Sequence, residues 1–258
     1  MAEVRLHEQG AVAILELDAP ATGNALGSAL VGELARAVAE VRGSSARAVV
    51  LHGAGKHFCT GANLAEVAAS AEHPLAERGA DAERLGALYS AWLRLPQFTV
   101  AAVRGAAFGG GAGLAAACDL VVAGPEARFQ FSEVRLGFVP ALIAVFLVRR
   151  VPPARLFQLF ADPTPLTAEE ARQVGLVDEV AEDPLARAVA RAEAVTAKAA
   201  PSAVAATKKL LLELTLPHLD EQLALAAHLN AAQRSHPECR RGVAHFLAEH
   251  SFPDWSKL

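Results

Sequence analysis

The sequence has no excess of positive charge: 24 Lys and Arg are set against 28 Asp and Glu, for a formal charge of -4. No basic run overrides that average, so nucleic-acid binding, which needs a cationic footprint, is not expected. Cysteine is scarce, and its three residues, Cys59, Cys118 and Cys239, are far apart and odd in number. They fit neither a disulfide framework nor the paired spacing of a zinc site. Cys118 reads as a small core residue. The nine His are dispersed, so no metal centre is expected. The uncharged run from Gly105 to Cys118 is broken by glycines and too short to span a bilayer. The opening stretch MAEVRLHEQG is charged where a signal peptide is apolar. No G-x-S-x-G elbow is present, which removes the serine hydrolases built on one. These absences lead to the expectation of a cytoplasmic protein in a reducing setting, with no membrane and no metal.

What is there is apolar. Hydrophobic residues make up 53% of 258 residues, enough to bury one sizeable core. Val4 to Leu6 and Val12 to Leu17 pattern as two short strands, and Leu30, Leu34, Ala37, Val38 and Val41 fall at helical spacing. Ala48 to His52 is a continuous apolar run, as in a strand covered on both faces. A helix is predicted from near Asn63, and the stretch from Ala68 to Gly86 reads as helical but mobile, broken at Pro74. Leu88, Trp92 and Leu95 then give a clearer helical face. Thr99 to Val103 and Leu120 to Ala123 read as strands around a small-residue helix from about Ala112 to Cys118. Two short helices are predicted at Leu142 to Val151 and Pro153 to Phe160. Thr167-Ala168-Glu169-Glu170 makes a capping box, and Leu176 to Val180 a last strand. Beyond Asp183 everything is helical in character, with a break at Pro201. The pattern is an α/β repeat of ββα units over residues 1–195, followed by a helical segment over 196–258.

Two glycine loops follow apolar strands, Thr60-Gly61-Ala62 and Gly109 to Gly111. Small side chains there leave backbone N–H groups open, and a helix starting at each loop would aim them at a developing negative charge. Two such donors converging on one oxygen make an oxyanion hole, suited to a thioester enolate. Glycine at a turn is more often structural, so either loop alone is weak evidence. Glu133 is the candidate acid or base, because its neighbours Phe129, Phe131, Val134 and Leu136 would desolvate it and raise its pKa. The competing reading is a solvated loop glutamate.

FCTGANL at Phe58 to Leu64 and RGAAFGGGAGLAAACDLVVA at Arg104 to Ala123 resemble the two signature blocks of the crotonase (enoyl-CoA hydratase/isomerase) superfamily. Asn24-Ala25-Leu26 and TAEEARQVGLVDEV at Thr167 to Val180 fit as well, so the resemblance runs through nearly the whole chain. It implies a crotonase-type spiral of ββα units, with the C-terminal helices packing between subunits in a homotrimer or dimer of trimers. It places the oxyanion hole on the N–H groups of Ala62 and Gly110, with Gly61 and Gly109 beside them. Of the two catalytic glutamates of the hydratases it retains one, at Glu133; the other position is Gly113. The resemblance implies no cofactor beyond the substrate's own carrier, the phosphopantetheine of an acyl carrier protein or coenzyme A. The stretch Pro20-Ala21-Thr22-Gly23-Asn24 has no cation for nucleotide phosphates, which favours the carrier protein as partner.

Within the superfamily, LYSAWLRL at Leu88 to Leu95, FQFSEVRLGFVPA at Phe129 to Ala141 and FLVRR at Phe146 to Arg150 are similar to polyketide β-branching dehydratases. RGVAHFLAEHSFPDW at Arg241 to Trp255 is similar to theirs too. Those enzymes act on 3-hydroxy-3-methylglutaryl groups held on an acyl carrier protein. The implied reaction is water loss through an oxyanion-stabilised enolate, giving a 3-methylglutaconyl thioester. The substrate's free carboxylate would want a cation, with Lys56, Arg84 and Arg135 as candidates and His57 as a polar neighbour. Alternatives stay open: an enoyl-CoA hydratase, a decarboxylase of 3-methylglutaconyl or similar short thioesters, or a catalytically silent binding subunit. A dinucleotide site is a further alternative, because Gly111 to Ala116 fits G-x-G-x-x-A, although it sits mid-chain rather than opening the first βαβ unit.

Overall fold

In the computed structural model, which describes residues 4–257, the chain opens on a hairpin. β1 (Val4–Gln9) and β2 (Val12–Leu17) pair antiparallel around Gly10. Met1 to Glu3, the start of the charged N-terminal stretch, lie outside the described residues. α1 (Ser28–Gly43) buries Leu30, Leu34, Ala37, Val38 and Val41, the face the periodicity predicts. β3 (Ala48–Gly53) then lies parallel to β2.

α2 (Leu64–Ser70) is capped by Asn63, whose side chain accepts from the N–H groups of Ala65 and Glu66. α3 (Leu75–Leu93) begins directly after Pro74, so the stretch read as broken at that residue is two helices. β4 (Phe98–Val103), β5 (Ala106–Phe108) and α4 (Gly110–Ala116) form the next unit, the helix starting at the second glycine rather than at Ala112. β6 (Leu120–Ala123) and β7 (Arg128–Gln130) lead into a 3₁₀ turn over Glu133–Leu136 and α5 (Ala141–Leu147). α6 (Pro153–Ala161), β8 (Leu166–Thr167), α7 (Ala168–Gln173) and β9 (Glu179–Val180) follow. The capping box closes as the sequence predicts, between Thr167 and Glu170.

α8 (Pro184–Lys198), α9 (Pro201–Thr215), α10 (Leu219–Gln233) and α11 (Pro237–Glu249) complete the chain. The helical character predicted beyond Asp183 holds, and Pro201, read as a break, is the first residue of α9. At the first helical position its absent N–H would have had no partner anyway.

The strands sort into two sheets. The larger runs β1-β2-β3-β4-β6-β9, parallel from β2 onward. The smaller runs β5-β7-β8, and two single bridges, Leu26 with Ala62 and Cys59 with Ala107, extend it. Successive ββα turns therefore give one strand to each sheet, which is a spiral. Alternation along the parallel strands explains their unbroken apolar sequence. Val49, Leu51, Ala101, Val103 and Val121 face the main core, while Val50, Val100, Ala102 and Val122 face Ala188 and Ala192 of α8.

α10 packs on α3 and α5, and α11 on α2 and the 3₁₀ turn. In α9 Leu212 alone is buried, and Leu210, Leu211 and Leu214 are exposed. No helix among the described residues is long and apolar enough to cross a membrane.

Candidate active site

The first wall of the site is stitched together by Asn24. This residue is fully buried in the left-handed conformation, with φ of 57°. Its Nδ2 donates to the carbonyls of Ala54, His57 and Phe58 at 3.0, 2.8 and 3.2 Å, while Oδ1 accepts from the Ala19 N–H. The loop after β3 is thereby pinned to the segment leading into Leu26, whose N–H donates to the Gly61 carbonyl at 2.7 Å. Asn24→Asp would turn a carboxylate oxygen onto three carbonyls at a fully buried position. We expect a loss of roughly 3 kcal/mol or more, read as a lowered Tm; an unchanged Tm would contradict the pinning role.

The two glycine loops meet. Gly61 has φ of +91°, and a Cβ there would lie 2.7 Å from the Phe108 carbonyl oxygen and 3.5 Å from the Gly110 nitrogen. Gly109 has φ of +48°, and its N–H donates at 2.7 Å to the carbonyl of Gln130, at the end of β7. That bond holds the second loop beside the turn carrying Glu133. A Cβ on Gly109 would lie 2.8 Å from Glu133 Oε1, so glycine there serves both the backbone angle and the approach of the carboxylate.

Glu133 opens the 3₁₀ turn, and its Oε2 is buried with no hydrogen-bond partner among the described residues. Burial pushes its pKa up from the ordinary carboxylate range to about 7. Phe129, Phe131 and Leu136 are buried as the sequence suggests, whereas Val134 is only partly covered. Among the described residues, neither the Ala62 nor the Gly110 N–H donates to a protein acceptor. α4 spans only seven residues, so these donors are better regarded as individual N–H groups than as the end of a long helix dipole.

A cavity of about 510 Å³ joins these pieces, with Gly61, Ala62, Gly109, Gly110 and Glu133 in its wall. Among the described residues the lining contains no Lys, Arg or His, and Glu133 is its single charged side chain. The remaining predicted contacts lie elsewhere. Lys56 is exposed, and Arg84 pairs with Asp81. The Arg135 guanidinium stacks 3.8 Å from the Phe252 ring centroid. His57 Nδ1 accepts from the Ala106 N–H at 3.1 Å, and burial followed by the Lys56 charge lowers its pKa, so the ring is a neutral structural acceptor. Among the described residues no cluster of His, Cys, Asp or Glu is placed to hold a metal ion.

Among the wall residues that the sequence reading did not place in the site are Tyr89, Asn230 and Ile143. Tyr89 is buried and donates at 2.8 Å to the Gly110 carbonyl. Asn230 comes from α10, far along the chain. Ile143 occupies the space beside Gly113: a Cβ on that glycine would overlap Ile143 Cγ2 and lie 2.9 Å from Ile143 Cβ. The position to which the sequence resemblance assigns a second acid is thus filled with hydrocarbon. The same packing counts against a dinucleotide site, because Gly111 lies against the Cys59 carbonyl and leaves its backbone closed to a pyrophosphate.

A family profile described as "Enoyl-CoA hydratase/isomerase" matches residues 7–257. A Thermus thermophilus relative that bears an enoyl-CoA hydratase name is 38% identical over 244 residues, covering 93% of this chain and 96% of its own. The bacillaene synthase dehydratase PksH of Bacillus subtilis is 28% identical over 179 residues, covering 68% of this chain and 67% of its own. Among solved structures, an enoyl-CoA hydratase from Mycobacterium avium superposes with a TM-score of 0.86 at 29% identity, covering 99% of both chains.

Proposed function

The chain belongs to the enoyl-CoA hydratase/isomerase family and is an enzyme of the hydratase/dehydratase type, and from that premise we propose that it interconverts a 3-hydroxyacyl thioester and its 2-enoyl product with a single carboxylate. The observation that carries this reading is Glu133: a carboxylate with a pKa near 7 and an unpartnered oxygen, beside two unoccupied backbone donors. The thioester oxygen lies between the Ala62 and Gly110 N–H groups, which stabilise the enolate formed at C2. Each donor contributes roughly 3 kcal/mol in the transition state. Glu133 takes the C2 proton as a carboxylate, then delivers a proton to the departing hydroxyl, so the base is restored when water leaves.

The test is mass-spectrometric detection of water loss from 3-hydroxyacyl thioesters, presented on coenzyme A and on a carrier protein, over a range of pH. The working form of Glu133 is the carboxylate, so kcat/KM is expected to rise about tenfold per pH unit below the pKa near 7 and level off above it. Absence of water loss on either carrier, or a flat profile through that range, overturns the proposal.

A second reading is dehydration of 3-hydroxy-3-methylglutaryl groups on an acyl carrier protein. Gly113 in place of the second acid favours it, as does the similarity to the Bacillus dehydratase PksH. The lining weighs the other way, because a substrate carboxylate would meet no cation there and would sit in the same cavity as Glu133. The absence of a cation in Pro20 to Asn24 supports a carrier protein over free coenzyme A in either reading. The exposed Leu210, Leu211 and Leu214 support a homotrimer or dimer of trimers assembled through the C-terminal helices.

A further inference from the structure

Among the polar side chains of the cavity that the proton chemistry does not use, Asn230 has a buried acceptor without a partner among the described residues. Asn230, on α10, is only 7% exposed and shares the wall with Leu85 of α3 and Leu142 of α5. Its Oδ1 is buried and has no hydrogen-bond partner among the described residues. A buried acceptor left in that state is costly, and native structures keep few of them. Arg234, one helical turn further on, directs its guanidinium to Ser70 and Asp81 and is not part of the lining. Asn230 is therefore a neutral polar group with no cation beside it among the described residues of the lining.

We propose that Asn230 is a specificity residue that hydrogen-bonds a neutral hydroxyl on the acyl portion of the substrate, beyond the thioester. The inference rests on the acyl-thioester reading of the cavity and adds the class of acyl group. An amide offers an acceptor on one side and donors on the other, and a hydroxyl satisfies either orientation. A plain alkyl chain leaves Oδ1 unpaired. A terminal carboxylate has no proton for Oδ1 and no cation in the wall to neutralise it. Sites built to pair a substrate hydroxyl discriminate strongly against analogues lacking it, because the protein group is then stranded.

The experiment is calorimetric titration with saturated acyl thioesters, which cannot react, presented on coenzyme A and on a carrier protein, so that binding is read independently of Glu133. Acyl lengths from about four to ten carbons would each end in methyl, hydroxyl or carboxylate, against the wild type, Asn230→Leu and Asn230→Ala. At the length that reaches Asn230, the wild type is expected to bind the hydroxyl form about tenfold tighter than the methyl form. Asn230→Leu is expected to reverse that order. Asn230→Ala, favoured in a helix, is expected to abolish it and serves if the leucine variant does not fold. Equal binding of methyl and hydroxyl forms at every length means that Asn230 holds at most a buried water, and overturns the proposal. So does a preference for carboxylate, or a hydroxyl preference that survives in Asn230→Ala. Failure of every thioester to bind overturns the acyl-thioester reading itself; binding without a hydroxyl preference overturns this inference alone.

Discussion

Glu133→Gln is expected to lower turnover by about 10³-fold or more while making the protein more stable at pH 8. The activity loss follows because Gln cannot accept the C2 proton, and the lining offers no other charged side chain to take over. The stability gain follows from the sign of the pKa shift. Glu133 titrates near 7 in the folded chain, above the ordinary carboxylate value of an unfolded one. Between those values the folded state binds the extra proton, so stability falls as pH rises through the window and the full penalty is present above 7. A shift of this size corresponds to about 3 kcal/mol at most. Gln keeps the shape without the charge and escapes that cost. The Tm of the variant should exceed that of the wild type at pH 8, and the two should converge near pH 4. A variant with near wild-type turnover would remove Glu133 from the chemistry. A Tm difference independent of pH would remove the buried charge from the account.

How far this site can be read from sequence depends on whether a residue's task is local. Gly61, Gly109 and Gly110 announce themselves because the backbone angles and open N–H groups belong to the loops that contain them. Glu133 is legible for a similar reason, since Phe129, Phe131 and Leu136 accompany it in the same segment. Arg135 shows the limit of that reasoning. In a 3₁₀ turn, residues three apart share a face, so a side chain two positions after Glu133 points elsewhere, and Arg135 settles on Phe252. Lys56 fails differently: it is near the first glycine loop in sequence but on its solvent side. Tyr89, Ile143 and Asn230 were out of reach because their place in the wall depends on α3, α5 and α10 packing together, and no local pattern encodes that contact. The start of α9 was not placed because Pro201, taken as a break, is also a legitimate first helical residue.

The vacancy at Gly113 was visible in the sequence, but its consequence was not, because the residue that fills the space lies thirty positions later at Ile143. Gly113→Glu alone is therefore expected to be a poor route back to two-acid chemistry. The new Cβ overlaps a side chain that is itself 3% exposed, and such overpacking costs about 1–3 kcal/mol before the buried carboxylate is counted. Ile143→Ala alone leaves a hole, at about 2–5 kcal/mol. Combined, the substitutions relieve each other, and the double variant should be more stable than the sum of the singles by about 1–3 kcal/mol. It should also gain hydration of simple 2-enoyl-CoA thioesters by roughly 10-fold or more over the wild type, since two carboxylates then flank the water. Two neighbouring carboxyls cannot both ionise freely, so the rising limb of kcat/KM should move above the pKa near 7 that Glu133 has alone. Strict additivity of the two substitutions, measured by denaturant unfolding, would show that Ile143 is not what excludes the second acid. A double variant that couples as expected, yet hydrates no faster and keeps its pH limb, would show that the space is restored but the carboxyl does not reach the water. Under the proposed single-carboxylate chemistry, what keeps a second acid out is a pair of residues, Gly113 and the Ile143 side chain packed against it, so admitting one takes both substitutions.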